Sequence, residues 1–335
     1  MTRSLTPVRV HKRSHIREEG ASSRERKSGV RRSKGQGHVS VMLRETVSML
    51  SPKDGEWVID GTAGEGGHSE AILKHARVEL LSIDADPAAA LFTRTRLAKL
   101  GGRAERATVA VGNFSDISHI AKTHGFKHAD KILLDLGWNM GQLDSGRGFS
   151  FMEDEPLNMS YGEKPASGFT AAEILNTWEE KVIADALFGY GEERYARRIA
   201  KAVVERRKIA PIETTLELVE IINDSVPALY RHGKLHPATR TFQALRIAVN
   251  SELSVLEKCI EDSWKLLSCN GRLAIITFHS IEDRLVKRAF AERAKKGEGK
   301  LLTKKPITAT RDELAANRPS RSAKLRGIEK ICNEK

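Results

Sequence analysis

Short apolar runs alternate along this chain with stretches of three-and-four spacing, and their order predicts an α/β fold interrupted once. From His38 the pattern becomes globular: a short helix carrying Val47 and Leu50 stops near Pro52, and Trp57-Val58-Ile59-Asp60 reads as a buried strand. A glycine-rich turn from Gly61 to His68 leads into a helix over about 69–76, and Leu80-Leu81-Ser82-Ile83-Asp84 ends a second strand. A helix over about 87–100 and a strand at 107–111 follow. The run 131–137 is apolar throughout, as a central parallel strand should be. From about 148 to 235 the spacing is wholly helical, with segments at 170–175, 179–188, 192–208 and 214–223. Phe242, Leu245, Val249, Leu253, Leu256, Ile260, Trp264 and Leu267 then mark one long helix, opened by His236-Pro237-Ala238-Thr239 and ended by Asn270-Gly271. A strand at 272–278, a helix from 281 to about 295, and two short strands at 301–308 and 324–331 close the chain. The last two are expected as an antiparallel pair at the sheet edge. The architecture this predicts is one doubly wound domain, discontinuous over 38–147 and 236–335, with an inserted helical domain at 148–235.

Composition changes the picture at the amino terminus. Of the net charge of +12, residues 1–37 supply +8, from eleven Lys/Arg against three Glu. This basic arm lacks apolar periodicity and is expected to be disordered in isolation. An RNA-touching tail and a solubilising tail are both open readings. Its Arg/Ser bias also resembles a transit peptide, with Glu18, Glu19 and Glu25 arguing against that. The positive balance points to a polyanionic partner. No apolar run approaches membrane-spanning length. Cys259, Cys269 and Cys332 are too few and too scattered for a disulfide framework and show no metal spacing, which fits a reducing, cytoplasmic interior.

Candidate chemistry gathers at strand ends. Glycines between a strand and a helix let the backbone approach a ligand, and the helix that follows aims unpaired N–H groups at it. Asp84 lies 20 residues past Gly64, the spacing at which a carboxylate holds ribose hydroxyls. In the frame Gly64-x-Gly66, however, Ser69 stands where a dinucleotide site wants its third glycine. Asp60, directly before the loop, would repel a pyrophosphate but suits a cationic group such as the sulfonium end of S-adenosylmethionine. That cofactor is therefore favoured over NAD, and a ligand-free glycine turn remains the plain alternative. Phe114, after the third strand, either stacks on an adenine or is an ordinary core residue. Asp135 and His279-Ser280 end the later strands, so five strand ends face one crevice. In the loop after Asp135, Asp135 and Asn139 are candidates to hold the N–H protons of an amine acceptor. Asp144, His279 and Asp283 are candidates to collect its proton. Around Tyr195, Ile199 and Val203, the residues Arg194, Arg197, Arg198, Lys201, Arg206 and Arg207 form either a solvated face or a phosphate-contacting one. Arg240 and Arg246 on the long helix extend the second reading.

The sequence resembles the bacterial 16S ribosomal RNA cytosine-N4 methyltransferases, the ribosomal small subunit methyltransferase H family, over about residues 38–331. The resemblance rests on several long segments in the family's order. They include Asp60-Gly61-Thr62-x-Gly64-x-Gly66-Gly67-His68, Ile83-Asp84-x-Asp86-Pro87, Leu133-Leu134-Asp135-Leu136-Gly137 and Gln142-Leu143-Asp144. Arg147-Gly148-Phe149-Ser150-Phe151, His236-Pro237-Ala238-Thr239-Arg240 and Phe278-His279-Ser280-x-Glu282-Asp283-Arg284 follow. It implies a Rossmann-like class I methyltransferase domain with a helical insertion, using S-adenosylmethionine to methylate the N4 amine of a decoding-centre cytidine in the small ribosomal subunit. It also implies Gly66, Gly67, His68, Asp84, Phe114, Asp135 and Gln142 as cofactor residues; Asp60 is added from charge alone. Two segments depart from the family's pattern: Asn139-Met140-Gly141 replaces Ser-Ser-Pro, and Leu157-Asn158-Met159-Ser160-Tyr161 replaces Leu-Asp-Met-Arg-Met. A small-molecule methyltransferase and a non-catalytic RNA-binding relative are the competing readings. The longer arm leaves an organellar relative open, and a homodimer is one of the oligomeric states the sequence does not decide.

Overall fold

The computed structural model describes residues 40–137 and 146–332. Its sheet comprises β1 (Trp57–Asp60), β2 (Glu79–Asp84), β3 (Ala107–Val111), β4 (Ala129–Asp135), β5 (Leu267–Thr277), β6 (Gly299–Leu301), β7 (Ile307–Thr308) and β8 (Lys324–Lys330). They are ordered β3-β2-β1-β4-β5-β8-β6, with β7 also pairing with β8. β1 to β5 run parallel, and β8 is antiparallel to β5, β6 and β7. This is an α/β doubly wound sheet of Rossmann type with an antiparallel edge.

Helices α1 (Leu43–Leu50), α2 (Gly67–His75), α3 (Pro87–Ala98) and α4 (Ile117–Thr123) accompany the first four strands. Then come α5 (Ala171–Thr177), α6 (Glu180–Gly191), α7 (Ala196–Arg207), α8 (Thr215–Ser225) and α9 (Thr239–Asn250). The chain returns to the sheet with α10 (Glu252–Leu266), α11 (Ser280–Lys295) and α12 (Arg311–Ala316). Their starts follow local chemistry. Pro87 opens α3 behind an Asp86 cap, and Thr170 with Glu173 and Thr214 with Glu217 form capping boxes on α5 and α8.

Alternation of period two decides which layer each strand residue joins. Ile59, Leu81, Ile132, Leu134, Leu273 and Ile275 pack on the α4, α10 and α11 side. Val58, Leu80, Leu133, Ala274 and Ile276 pack on the α1 and α2 side. A third cluster runs from Phe149 to Val249 and belongs to the helical lobe, so α9 packs with the lobe and not with the sheet.

Three expectations change. The long helix over 239–267 is two helices, because Ser251 adopts a left-handed conformation (φ 49, ψ 36) between α9 and α10. Asn250 fixes the break: its amide donates to the carbonyls of Met159 and Arg246, and its Oδ1 accepts from the N–H of Tyr161 at 2.8 Å. Asn270-Gly271 is not a helix end but lies inside β5, which begins at Leu267. Cys269 and Cys332, expected to be unpaired, form a disulfide with Cα atoms 5.5 Å apart, while Cys259 is free and buried. Antiparallel β8 places the two sulfurs together, a proximity that sequence spacing cannot express. No helix among the described residues is long and apolar enough to cross a membrane.

Candidate active site

Parallel strands bring their carboxyl ends to one edge of the sheet, and that edge carries three carboxylates. Asp60 on β1 is fully buried. Its Oδ2 accepts from Ser69 Oγ at 2.7 Å and its Oδ1 from the Thr62 N–H at 3.2 Å. Ser69 Oγ also lies 2.7 Å from Ser82 Oγ, so this hydroxyl ties α2 to β1 and β2. That is why a serine stands where a dinucleotide loop has glycine. Burial lifts Asp60 to about 6, against the hydrogen bonds from Ser69 and Thr62. Asp84 on β2 accepts from the N–H of Gly64 at 2.7 Å and of Asp86 at 2.9 Å, and burial raises it as well. Asp135 on β4 is raised to about 7, chiefly by burial and then by the negative charge of Asp60.

The loop between β1 and α2 is shaped by its glycines and clamped from outside. Gly66 has φ +76, and a Cβ on Gly67 would collide with Ser40 Oγ. Thr93 Oγ1 donates to the Gly64 carbonyl at 2.9 Å, and Thr62 Oγ1 accepts from the Asp135 N–H at 2.6 Å. Helix α2 begins at Gly67, two residues earlier than the apolar pattern suggests, which places Gly67 and His68 in its first turn. His68 is buried, with Nε2 3.1 Å from the Val41 carbonyl oxygen and Nδ1 3.6 Å from Asp135 Oδ2. Phe114 follows β3, half-buried against the sheet core. Asn139, Gln142 and Asp144 lie outside the described residues.

These features fit an adenosine-bearing cation. Among the described residues, no lysine or arginine lies within ion-pair distance of Asp60, Asp84 or Asp135; the nearest basic group is the His68 imidazole, with Nδ1 3.6 Å from Asp135 Oδ2. Desolvated carboxylates lacking a fixed counter-ion are poised to take one from a ligand. A divalent metal is suited less well to the neighbouring cluster of Glu252, His279 and Glu282, whose ligand-type atoms lie within 4.8 Å of one another. Arg246 already supplies positive charge there, 2.7 Å from Glu252.

That contact corrects one expectation. Arg246 is buried in the lobe and ion-paired, so it is not an RNA-facing residue. Burial alone would lower its pKa, but Glu252, Tyr161 and Glu282 outweigh that and keep it charged. The departing segment at 157–161 packs into the same region. Tyr161 stacks on Phe149, and its hydroxyl donates to Glu252 at 2.9 Å. His279 caps α11: Nδ1 accepts from the Glu282 N–H at 3.3 Å, and Nε2 is 3.0 Å from Glu282 Oε1. Asp283 faces away, toward Arg326 at 2.7 Å and Lys324 at 3.2 Å. Burial would raise its pKa, but these two cations hold it below the usual range.

On the lobe, Arg197, Arg198 and Lys201 are exposed on α7, and Arg194 is exposed just ahead of it. Arg198 lies over Tyr195 and Arg194 over Tyr230, each 5.8 Å from the ring centroid. Arg206 and Arg207 instead donate to carbonyls of Ala210, Leu175 and Trp178. Arg240 donates to the Glu192 carbonyl at 3.1 Å.

Residues 35–331 match the model of the MraW methylase family. The ribosomal RNA small subunit methyltransferase H of Treponema denticola is 43% identical over 312 residues, covering 88% of this chain and 97% of that one. The protein of the same name from Synechococcus elongatus is 42% identical over 301 residues, covering 89% and 96%. Among solved structures, an rRNA methylase from Streptococcus thermophilus superposes with a TM-score of 0.43 at 10% identity, covering 88% of this chain and 100% of that one.

Proposed function

The chain belongs to the MraW methylase family, and from that premise we propose that it methylates the N4 amine of a decoding-centre cytidine in small-subunit ribosomal RNA, using S-adenosylmethionine. The observation that carries this reading is the set of three carboxylates at one sheet edge, each raised by burial and none facing a lysine or arginine among the described residues. When bound, the cofactor supplies a methyl group on a cationic sulfur. Asp84 is placed for the ribose hydroxyls, Gly66 and Gly67 for backbone approach, and Phe114 for the adenine. Asp60 and Asp135 are placed for the cationic end. Asp135 also stands at the mouth of the loop that would hold the acceptor amine. The 148–235 segment is proposed as the substrate-recognition domain, with Arg194, Arg197, Arg198, Lys201 and Arg240 as its phosphate contacts. Reaching an exocyclic amine costs a few kcal/mol of unstacking, so a single-stranded or already distorted cytidine is the favoured target. The small ribosomal subunit in the cytoplasm is the proposed partner.

The test is transfer of labelled methyl from S-adenosylmethionine to small-subunit RNA or particles, with the modified base mapped. Label on a single cytidine N4 is the expected result. Label on a small amine, or cofactor binding without any turnover, would overturn the proposal in favour of the other two readings.

A further inference from the structure

Asp135 is surrounded by groups that favour its protonated form. A carbonyl oxygen can only accept, so His68 Nε2, 3.1 Å from the Val41 carbonyl, carries the hydrogen. In the neutral ring Nδ1 then presents a lone pair, and it faces Asp135 Oδ2 at 3.6 Å. Two acceptors opposed at that distance repel; one proton on Oδ2 turns the same approach into an O–H···N attraction. Asp60 from β1 and Glu282 from α11 add negative charge. The Gly137 N–H, 3.3 Å from Oδ1, acts the other way.

We propose that Asp135 takes the surplus proton of the newly methylated amine, and that His68 is the positioning residue that makes it able to. The inference rests on the reading of methyl transfer from a sulfonium to an amine. In that transfer the amine lone pair forms the N–CH3 bond, and the C–S bonding pair stays on sulfur. The amine is left cationic with one proton too many. With S-adenosylmethionine bound, Asp135 would be held ionised by the positive charge of the sulfonium. Once sulfur is neutral that support disappears, and the positive charge sits on the acceptor nitrogen instead. The Asp135 carboxylate then accepts the proton as O–H and turns it toward His68 Nδ1. The other described candidates are committed elsewhere. Asp283 is neutralised by Arg326 and Lys324, and His279 Nδ1 is taken by the Glu282 N–H, which leaves the ring hydrogen on Nε2, 3.0 Å from Glu282 Oε1.

Two measurements test this. The first needs no RNA: calorimetry of cofactor binding at pH 7, in buffers of different ionisation enthalpy. Asp135 is raised to about 7, so it is partly protonated there. Binding of S-adenosylmethionine should therefore release roughly half a proton more than binding of S-adenosylhomocysteine, whose sulfur is neutral. His68→Asn should remove most of that difference. Equal proton release for the two ligands in the native protein overturns the inference. The second is the pH profile of single-turnover transfer to small-subunit RNA. At saturating S-adenosylmethionine, which separates any change in cofactor affinity, His68→Asn should shift its rising limb down by about one pH unit and lower its plateau by on the order of tenfold. An unchanged profile overturns the inference. Absence of any transfer by the native protein defeats the proposed function instead, and the calorimetric comparison then decides the inference alone.

Discussion

Asp60 shows how far single residues could be read in advance. Its charge and its place at the end of an apolar strand marked it as a partner for a cation; in the fold it is completely buried, with its oxygens accepting from Ser69 and Thr62. What the sequence could not express was the hydroxyl of Ser69 between Asp60 and Ser82, because those partners come from two strands. His68 is a similar case, since its ring orientation is set by the distant Val41 carbonyl. The environment of Asp60 has a stability consequence. Its folded value, about 6, lies above the ordinary 3.8, so the folded protein binds this proton more tightly than the unfolded chain does. Stability from this group is gained as pH falls from 6 to 4, and above 6 the fold bears the full cost of a buried carboxylate. Asp60→Asn should therefore stabilise the ligand-free protein at pH 8 by up to about 3 kcal/mol. The gain should shrink to nothing near pH 4, as read by denaturant unfolding of both proteins across that range. The same change should weaken binding of S-adenosylmethionine at pH 8, because it removes the negative charge.

The four helices of the lobe between 171 and 225 were legible, while the irregular stretch at 146–170, which the spacing reads as helical, and helix continuity were not. The apolar stripe from Phe242 to Leu267 keeps its phase across Ser251, so periodicity alone continues the helix where the backbone turns left-handed. The break also explains Arg246. Glu252 is six residues further on, a spacing that does not meet on a straight helix, and only the turn at Ser251 brings the two within 2.7 Å. Asn250→Ala should cost about 2–4 kcal/mol, since it strands the Tyr161 N–H and the Met159 carbonyl at a junction built around that one amide. Ser251→Gly should be neutral or stabilising by up to about 1 kcal/mol, because glycine adopts φ +49 without strain. Thermal melts of the two variants should thus move in opposite directions or differ clearly in size. On α7 the expected effect is on binding. Replacing Arg197, Arg198 and Lys201 with alanine should weaken affinity for small-subunit RNA. It should also flatten the salt dependence by roughly 0.7–0.9 per lost phosphate contact, leaving cofactor affinity unchanged. An unaltered salt slope would reduce this face to a solvated one.

The parallel strands were nearly all visible as five apolar runs each ending in polar chemistry, while their order in the sheet is set by pairing that sequence does not express. The tail was less so: β6 and β7 hold only three and two residues, and their pairing depends on β8. The disulfide belongs to this scale. It joins the start of β5 to the residues just past β8 and encloses a separation of 63 residues. In the chain-entropy account, such a loop is worth about 4 kcal/mol, by limiting the unfolded ensemble and not by adding native contacts. The bridge lies at the amino-terminal edge of β5, whereas Asp135 pairs with Ile276 at the other edge, so strain or relief at one has no short path to the other. Reduction, or replacement of Cys332 by serine, should therefore lower the unfolding midpoint while cofactor affinity at saturating temperature margin stays within about twofold. Melts and S-adenosylhomocysteine titrations with and without reductant separate the two effects. A parallel loss of affinity at temperatures well below the reduced midpoint would mean that the β5–β8 edge communicates with the carboxylate edge through the sheet.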